Sequence, residues 1–214
     1  MLALFDLDNT LIDRSAGLER WAREFVRSRA LPPEAETVIC LRLRERAHPE
    51  DFVHLGAALG LSDDPGDLWQ EYVDGVARFV RCLPGARDGL EALRGAGWTI
   101  GIATNGAGDI QRAKLAATGL AHLFDGICVS GEAGARKPEH RFFEAAAGEC
   151  GASLRAGGWM VGDNPETDMG GARAAGLRTL WLALGRKWAN GLHEPDVIVQ
   201  GIVEAIEVLR GTTV

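Results

Sequence analysis

The sequence predicts an α/β fold in which helices cover both faces of a parallel sheet, with a small helical domain inserted after the first strand. Two patterns lead to this prediction. From residue 98 onward, short apolar runs alternate with segments of helical periodicity, as in βα units. Between the apolar run at residues 2–5 and residue 83, only helical periodicity occurs. That segment is too long for a plain crossover connection, so we expect a separate lobe.

The composition is typical of a globular protein with one large domain, or with one domain and an insert. Of the 214 residues, 46% are hydrophobic and 25% are charged, and the net charge is −7. The negative charge argues against nucleic acid or an anionic membrane surface as a partner. No apolar stretch is long enough to span a bilayer, and the first lacks the basic segment of a secretory signal.

The cysteines indicate neither a zinc site nor a redox motif, because no two of them form a Cys-x-x-Cys pair. They are Cys40, Cys82, Cys128 and Cys150. We interpret them as reduced thiols of a cytoplasmic enzyme.

The boundaries of the elements follow from periodicity and from glycine and proline punctuation. The inserted segment is predicted to hold helices at about 15–29, 34–47, 50–60 and 66–81. The later strands are predicted at 98–103, 126–129, 159–161, 178–183 and 197–199, with helices between them and after the last. We therefore expect an α/β domain of residues 1–13 and 83–214 and a helical domain of residues 14–82.

Two carboxylates, Asp6 and Asp8, follow the first apolar run. Two like charges at the end of a buried strand need compensation, and Mg²⁺ suits a site with one or two carboxylates. Asp6 is then a candidate nucleophile and Asp8 a candidate general acid and base. An ordinary strand followed by an Asp/Asn turn explains this segment alone equally well, and Asn9 tolerates the left-handed conformation that such a turn needs.

Other polar side chains follow later strands, and the carboxyl ends of parallel strands share one edge of the sheet. Thr104 and Asn105 could hydrogen-bond phosphate oxygens there, although helix capping also explains them. Lys137 could keep Asp6 ionised and bind a phosphate oxygen, with Arg136 as a competitor for that role. Asp163 is expected to bind the same cation as Asp6.

Asp168 lies within the first turns of the helix after the fourth strand. It could ligate the cation directly, act through water, or orient its neighbours. A carboxylate placed favourably near a helix N-terminus is the alternative.

Basic residues elsewhere have a plainer interpretation. In the helical lobe, Arg42, Arg44 and Arg46 could grip an anionic substrate, but a solvated helix face is favoured. The loop at residues 185–188 is basic and aromatic. We expect it to be an exposed turn, with a site entrance or a dimer contact as alternatives.

Together these segments resemble the haloacid dehalogenase superfamily of phosphohydrolases, in order and in spacing, from residue 2 to about residue 185. The matching segments are Asp6-Leu7-Asp8-Asn9-Thr10, Thr104-Asn105-Gly106, Lys137-Pro138, and Gly162-Asp163 with Asp168. Asn9, where glycine is commonest, and His140, near a position often held by proline, depart from the pattern. The resemblance implies a Rossmann-like core with the first strand central and a helical cap of the family's first type.

The resemblance also implies a role for each matching residue. Asp6 would be the nucleophile and a Mg²⁺ ligand. Asp8 would be the general acid and base and would offer its main-chain carbonyl to the metal. Asp163 would be a ligand, and Asp168 a ligand or the partner of one. The phosphoryl group would contact Thr104, Asn105 and Lys137.

The function implied is a Mg²⁺-dependent phosphatase of a small phosphorylated metabolite that works through an aspartyl-phosphate. Asp8 favours phosphomonoesters, because halide-removing and phosphonate-cleaving members lack a carboxylate there. Two alternatives remain. A sugar phosphomutase shares every core motif. A phospho-accepting signalling domain also places acids, Thr and Lys at a sheet edge, but it is shorter and lacks the lobe. The sequence leaves the substrate and the oligomeric state open.

Overall fold

A computed structural model describes residues 1–189 and 191–212 and contains one parallel sheet of six strands in the order β3-β2-β1-β4-β5-β6. The strands are β1 (Leu2–Phe5), β2 (Thr99–Thr104), β3 (Gly126–Val129), β4 (Trp159–Gly162), β5 (Arg178–Leu182) and β6 (Val197–Val199). The predicted α/β fold is confirmed. The first strand lies inside the sheet, between β2 and β4, as the family resemblance implied.

The helices alternate with the strands after β2 and are consecutive before it. In chain order they are α1 (Arg14–Ser28), α2 (Glu34–Leu43), α3 (Asp51–Leu59), α4 (Pro65–Phe79), α5 (Ala86–Gly95), α6 (Gly108–Thr118), α7 (Ser130–Ala133), α8 (His140–Glu149), α9 (Gly171–Ala174) and α10 (Ile202–Gly211). Short 3₁₀ helices occupy Ala121–Leu123 and Leu154–Ala156, and a π-helical turn occupies Pro165–Gly170. Among the described residues, no helix is long and apolar enough to cross a bilayer.

The register of the central strands sets which residues reach the same edge of the sheet. β1 is buried along its whole length, since helices cover both faces of a parallel sheet. Its last residue, Phe5, pairs with Ile102 of β2 and with Val161 of β4. Asp6, which follows Phe5, and the residues one or two positions beyond Ile102 and Val161 therefore emerge at the same edge of the sheet.

The chain forms two compact units. Among the described residues, one unit comprises residues 1–12, 82–105, 119–189 and 191–212 and contains the sheet, and the other comprises residues 13–81 and 106–118 and is helical. The sequence places residues 106–118 in the α/β domain, whereas their contacts group α6 with the helical unit. One such contact is a hydrogen bond of 2.6 Å from the Trp69 indole of α4 to the Asp109 carboxylate of α6.

Aromatic side chains fill the centre of the helical unit. Trp21 of α1 and Tyr72 of α4 meet edge to face at 5.0 Å between ring centroids, and Phe52 of α3 meets Tyr72 at 5.2 Å. Such rings bury large apolar areas and supply most of the packing energy in a small unit.

The helix α2 ends at Leu43, four residues before its predicted end. The buried Arg14 donates to the carbonyl oxygens of Leu43 at 2.6 Å and Arg44 at 2.5 Å, which satisfies acceptors that a longer helix would use. Arg44 and Arg46 therefore lie outside α2, and both are exposed, as is Arg42. Their exposure agrees with the favoured interpretation as solvated side chains, although only Arg42 lies on a helix, and the alternative of a grip on an anionic substrate stays a prediction.

Candidate active site

Asp6 is the first residue beyond β1 and lies at the carboxyl edge of the sheet. Its backbone N–H donates to the carbonyl oxygen of Val161 at 2.9 Å, which ties it to β4. Its side chain is only 11% exposed, so its charge requires a partner.

Lys137 supplies that charge, from the loop between α7 and α8. Its side chain is 2% exposed, and its Nζ donates to Asp6 Oδ1 at 2.7 Å and to Asp168 Oδ1 at 2.6 Å. One ammonium group thus bridges two buried carboxylates from distant parts of the chain. Lys137, Asp6 and Asp168, which the sequence predicted near one edge of the sheet, therefore lie together.

Asn105 holds the loop that carries Lys137. Its Oδ1 accepts from the Lys137 backbone N–H at 2.9 Å, and its Nδ2 donates to the Lys137 carbonyl oxygen at 3.0 Å. These bonds make Asn105 a positioning residue for the ammonium group. Contact between its carboxamide and phosphate stays a prediction, as does the phosphate contact of the buried Thr104, the last residue of β2.

The end of β4 and the π-helical turn after it supply two further carboxylates. Asp163 follows Gly162, and Asn164 caps the turn by accepting from the N–H groups of Glu166 and Thr167 at 3.0 Å. The backbone N–H of Asn164 also donates to Asp168 Oδ2 at 3.0 Å. Both oxygens of the Asp168 carboxylate are therefore fixed, one by Lys137 and one by the main chain.

Three carboxylates form a group that could hold a cation. Asp6, Asp163 and Asp168 each offer one oxygen, and these oxygens lie within 4.8 Å of one another. An all-oxygen set of this kind fits Mg²⁺, which binds through a few carboxylates and keeps room for water and phosphate. The sequence and the family resemblance predicted Asp6 and Asp163 as carboxylate ligands and Asp8 as a ligand through its main-chain carbonyl, and they left the role of Asp168 open. All of these ligand roles stay predictions.

The site has more buried negative charge than positive charge, and the pKa values reflect it. Burial raises the pKa of Asp6 to about 7; the charge on Lys137 opposes this rise, while Asp168 and Asp163 add to it. Burial also raises the pKa of Asp163 to about 6, with a further contribution from Asp168. For Lys137, burial lowers the pKa, but Asp168 and Asp6 outweigh it and hold the pKa above its ordinary value.

Asp8 lies in the turn after β1 and is partly exposed. The turn closes through a hydrogen bond of 2.8 Å from the N–H of Asn9 to the carbonyl oxygen of Ile12. Asn9 has φ 57°, the left-handed conformation expected for it. Asp8 is not among the three clustered carboxylates, which is compatible with a role in proton transfer.

Sequence reasoning missed Arg186, because the loop at 185–188 was expected to be an exposed turn. Arg186 and Lys187 are exposed, as predicted. However, Arg186 Nη2 donates to Asp163 Oδ2 at 3.2 Å. Trp188 packs edge to face on Trp181, with 4.9 Å between the ring centroids. The signal in the sequence that could have indicated Arg186 was a basic residue shortly after β5, the strand next to β4.

Comparison with known proteins supports a common ancestry with phosphate-cleaving enzymes. Residues 3–182 match the sequence model of the haloacid dehalogenase-like hydrolases. The pyrimidine 5'-nucleotidase YjjG of Escherichia coli is 39% identical over 122 residues, 57% of this chain and 54% of that protein. A phosphoserine phosphatase of Thermus thermophilus is 39% identical over 121 residues, 56% of this chain and 48% of that protein. These matches span about half the length of both relatives.

A solved structure shows the same fold over the whole chain. A phosphatase from Thermococcus onnurineus superposes with a TM-score of 0.72 and 23% identity, covering 100% of this chain and 99% of that one. At that identity the likeness concerns the fold. The region that matches the family model, residues 3–182, contains Asp6, Asp8, Thr104, Asn105, Lys137, Asp163 and Asp168, whereas Arg186 lies beyond it.

Proposed function

This chain belongs to the family of haloacid dehalogenase-like hydrolases, and we propose that it is a Mg²⁺-dependent phosphatase acting on phosphomonoesters of small metabolites through an aspartyl-phosphate on Asp6. The observation that carries the proposal is the buried arrangement of Lys137 between Asp6 and Asp168, with Asp163 beside them. A purely structural ion pair would not need a third carboxylate in the same group.

The donor set supports Mg²⁺ as the cofactor. Asp6 and Asp163 would hold it through carboxylate oxygens and Asp8 through its main-chain carbonyl, with Asp168 as a further ligand or as the partner that orients Lys137. One ammonium group cannot neutralise three carboxylates, so a divalent cation would restore the balance. When bound, Mg²⁺ supplies a Lewis acid that withdraws charge from phosphoryl oxygens.

The first chemical step falls to Asp6 and Asp8. A carboxylate oxygen of Asp6 attacks phosphorus, the bond from phosphorus to the ester oxygen breaks, and the carboxylic acid of Asp8 protonates the leaving oxygen. In the second step, the Asp8 carboxylate takes a proton from water, whose oxygen attacks phosphorus and displaces Asp6. Inorganic phosphate leaves, and both carboxyl groups return to their starting state.

Lys137 has two tasks in this scheme. Its Nζ lies 2.7 Å from Asp6 Oδ1, where its charge favours the ionised nucleophile against the opposing effect of burial. Its charge also attracts the phosphoryl oxygens, whose stabilisation contributes most to phosphoryl transfer. The rigid attachment of the Lys137 backbone to Asn105 fixes where that charge lies.

The names of the relatives support the substrate class but do not select a substrate. One is described as a pyrimidine 5'-nucleotidase and another as a phosphoserine phosphatase, and both names denote phosphomonoester cleavage. We therefore propose a small phosphomonoester. A panel of nucleoside monophosphates, phosphoserine and sugar phosphates would identify it and would reveal isomerised sugar if the enzyme were a mutase.

The test of the mechanism is hydrolysis of an aryl phosphate with Mg²⁺, with a chelator, and by Asp6→Asn. We expect Asp6→Asn to lower kcat by on the order of 10⁴ or more, because an amide neither attacks phosphorus nor carries the charge. The control is Asp88→Asn, the same substitution at an exposed aspartate of α5. Activity that survives the chelator or Asp6→Asn contradicts the proposal.

Asp8→Asn tests the covalent intermediate. An aryl oxygen leaves without help from an acid, so the first step proceeds, while the second step lacks its base and slows by about 10² to 10⁴. The protein should then gain the mass of one phosphoryl group in intact-mass spectrometry, and Asp6→Asn should prevent the gain.

A further inference from the structure

Arg186 makes a dense set of contacts for a half-exposed side chain. Its Nη2 donates to the main-chain oxygen of Asp163 at 2.7 Å, to Asp163 Oδ2 at 3.2 Å and to the carbonyl oxygen of Leu182 at 3.1 Å. Nη2 carries two N–H groups, so these three acceptors share them. The shortest of the three bonds goes to the main chain of Asp163.

The main-chain oxygen of Asp163 has a second donor. The buried Trp181 of β5 donates to it from Nε1 at 2.9 Å. The guanidinium carbon of Arg186 lies 5.4 Å from the centre of the same indole ring, within the range of cation–π attraction. Strand β5 and the loop after it thus hold the end of β4 from one side.

Arg186 is itself immobilised by the turn that carries it. Its backbone N–H donates to the carbonyl oxygen of Ala183 at 2.8 Å, and its Nε donates to the same oxygen at 3.0 Å. The turn contains Leu184 at φ 50°, which is uncommon for a bulky residue without a special constraint. Backbone strain of this kind gathers where a side chain must be aimed.

We propose that Arg186 is a positioning residue for the Mg²⁺ ligand Asp163, because it fixes the main-chain oxygen and one carboxylate oxygen of that residue and leaves the other carboxylate oxygen to the cation. The role rests on the proposed Mg²⁺-dependent function. Groups that hydrogen-bond a ligating carboxylate orient it, and losing one costs about 10- to 100-fold in metal affinity.

Arg186 also has an effect that opposes metal binding, and this effect is smaller than its orientation of Asp163. Its positive charge repels a cation, but the side chain is 45% exposed and water screens it. The bond to Oδ2 is also the longest that Nη2 makes, so competition between Arg186 and a cation for that oxygen is weak. Orientation of Asp163 therefore outweighs repulsion.

The test is calorimetric titration of the metal-free protein with Mg²⁺ for the parent, Arg186→Ala, Arg186→Lys and Lys187→Ala. We expect Arg186→Ala to weaken binding by about tenfold or more, and Arg186→Lys to weaken it less, because an ammonium group keeps the charge but lacks the planar fork. The control, Lys187→Ala, removes the same charge from an exposed neighbour and should bind like the parent.

The outcomes separate the two proposals. If the parent binds no Mg²⁺, the proposed function fails and takes this role with it. If the parent binds and Arg186→Ala binds as tightly or more tightly, only the role of Arg186 is overturned. Equal weakening by Lys187→Ala also overturns it, because net charge of the loop would then be the cause. Urea unfolding without Mg²⁺ shows that each variant is folded before titration.

Discussion

At the scale of single residues, the site depends on one buried ammonium group. Lys137 is 2% exposed and contacts two carboxylates. One positive charge therefore faces two negative charges, whereas an ordinary ion pair has one of each. Burying such groups is costly unless each has its partner. The same arrangement that would poise Asp6 for attack therefore makes the folded state depend on Lys137.

Lys137→Met should destabilise the metal-free protein at neutral pH, because it leaves the buried carboxylates of Asp6 and Asp168 without the ammonium group that pairs with them. We expect a loss of about 3–5 kcal/mol in the free energy of unfolding, measured by urea titration in the presence of a chelator. Since Lys137 lowers the pKa of Asp6, its removal raises that pKa further, and protonation at lower pH relieves part of the cost. The loss should thus be smaller at about pH 5.5 than at about pH 8.

Lys187→Met is the matched control, because Lys187 is exposed. It should leave the free energy of unfolding nearly unchanged at both pH values. A Lys137→Met variant as stable as the parent at neutral pH would show that the two carboxylates tolerate each other without the ammonium group.

Some residues of the candidate site could be predicted from the strand pattern alone and others could not, for physical reasons. The proximity of Asp6 and Asp163 could be predicted because each follows an apolar strand, and parallel strands end at one edge. Lys137 follows a loop rather than a strand, so its choice over Arg136 rested on the family resemblance. Arg186 was missed because its aim depends on a turn through Leu184 at φ 50°, and leucine does not signal that conformation.

At the scale of elements, the end of β4 needs a residue without a side chain. A Cβ at Gly162 would lie 2.3 Å from Asp168 Oδ2 and 2.6 Å from its Cγ, far inside contact distance. The φ of Gly162 is not in the left-handed region, so space and not backbone conformation requires glycine. β4 and the π-helical turn can close on each other only because this position is empty.

Gly162→Ala should therefore displace the Asp168 carboxylate from Lys137. We expect a loss of about 1–3 kcal/mol in stability from overpacking, together with a loss of activity that exceeds what this destabilisation explains. The measurements are urea unfolding and hydrolysis of an aryl phosphate. Gly148→Ala is the control, since a Cβ at that glycine of α8 meets nothing within 4 Å and helix propensity favours alanine there.

Periodicity predicted the elements well where each is amphipathic or fully buried, and the bounds of β3 agree with those predicted. It could not predict that α6 groups with the helical unit. A helix between β2 and β3 has the same apolar stripe whichever unit it contacts, and the bond from Trp69 to Asp109 joins residues 40 positions apart. Likewise, the early end of α2 depends on Arg14, which precedes it by a whole helix.

At the scale of the whole molecule, proton binding and Mg²⁺ binding should compete in setting the stability. Asp6 and Asp163 have pKa values of about 7 and about 6 in the metal-free fold, above the ordinary value of 3.8. A carboxyl group with a raised pKa stabilises the fold below its ordinary pKa, and that contribution is lost as the pH rises through its folded value. Without metal, these two groups therefore favour the folded state less as pH rises from about 4 to about 8.

Mg²⁺ should offset this loss, because it binds the ionised carboxylates and must displace any protons on them. With these pKa values, proton competition weakens apparent Mg²⁺ affinity by on the order of 100-fold at about pH 5.5 relative to about pH 8. The gain in unfolding free energy from saturating Mg²⁺ over chelator should accordingly grow with pH, by up to about 3 kcal/mol. Thermal or urea unfolding at several pH values measures it. Asp163→Asn should abolish the gain at every pH, and a gain that is constant or that shrinks as pH rises would contradict a cation held by Asp6 and Asp163.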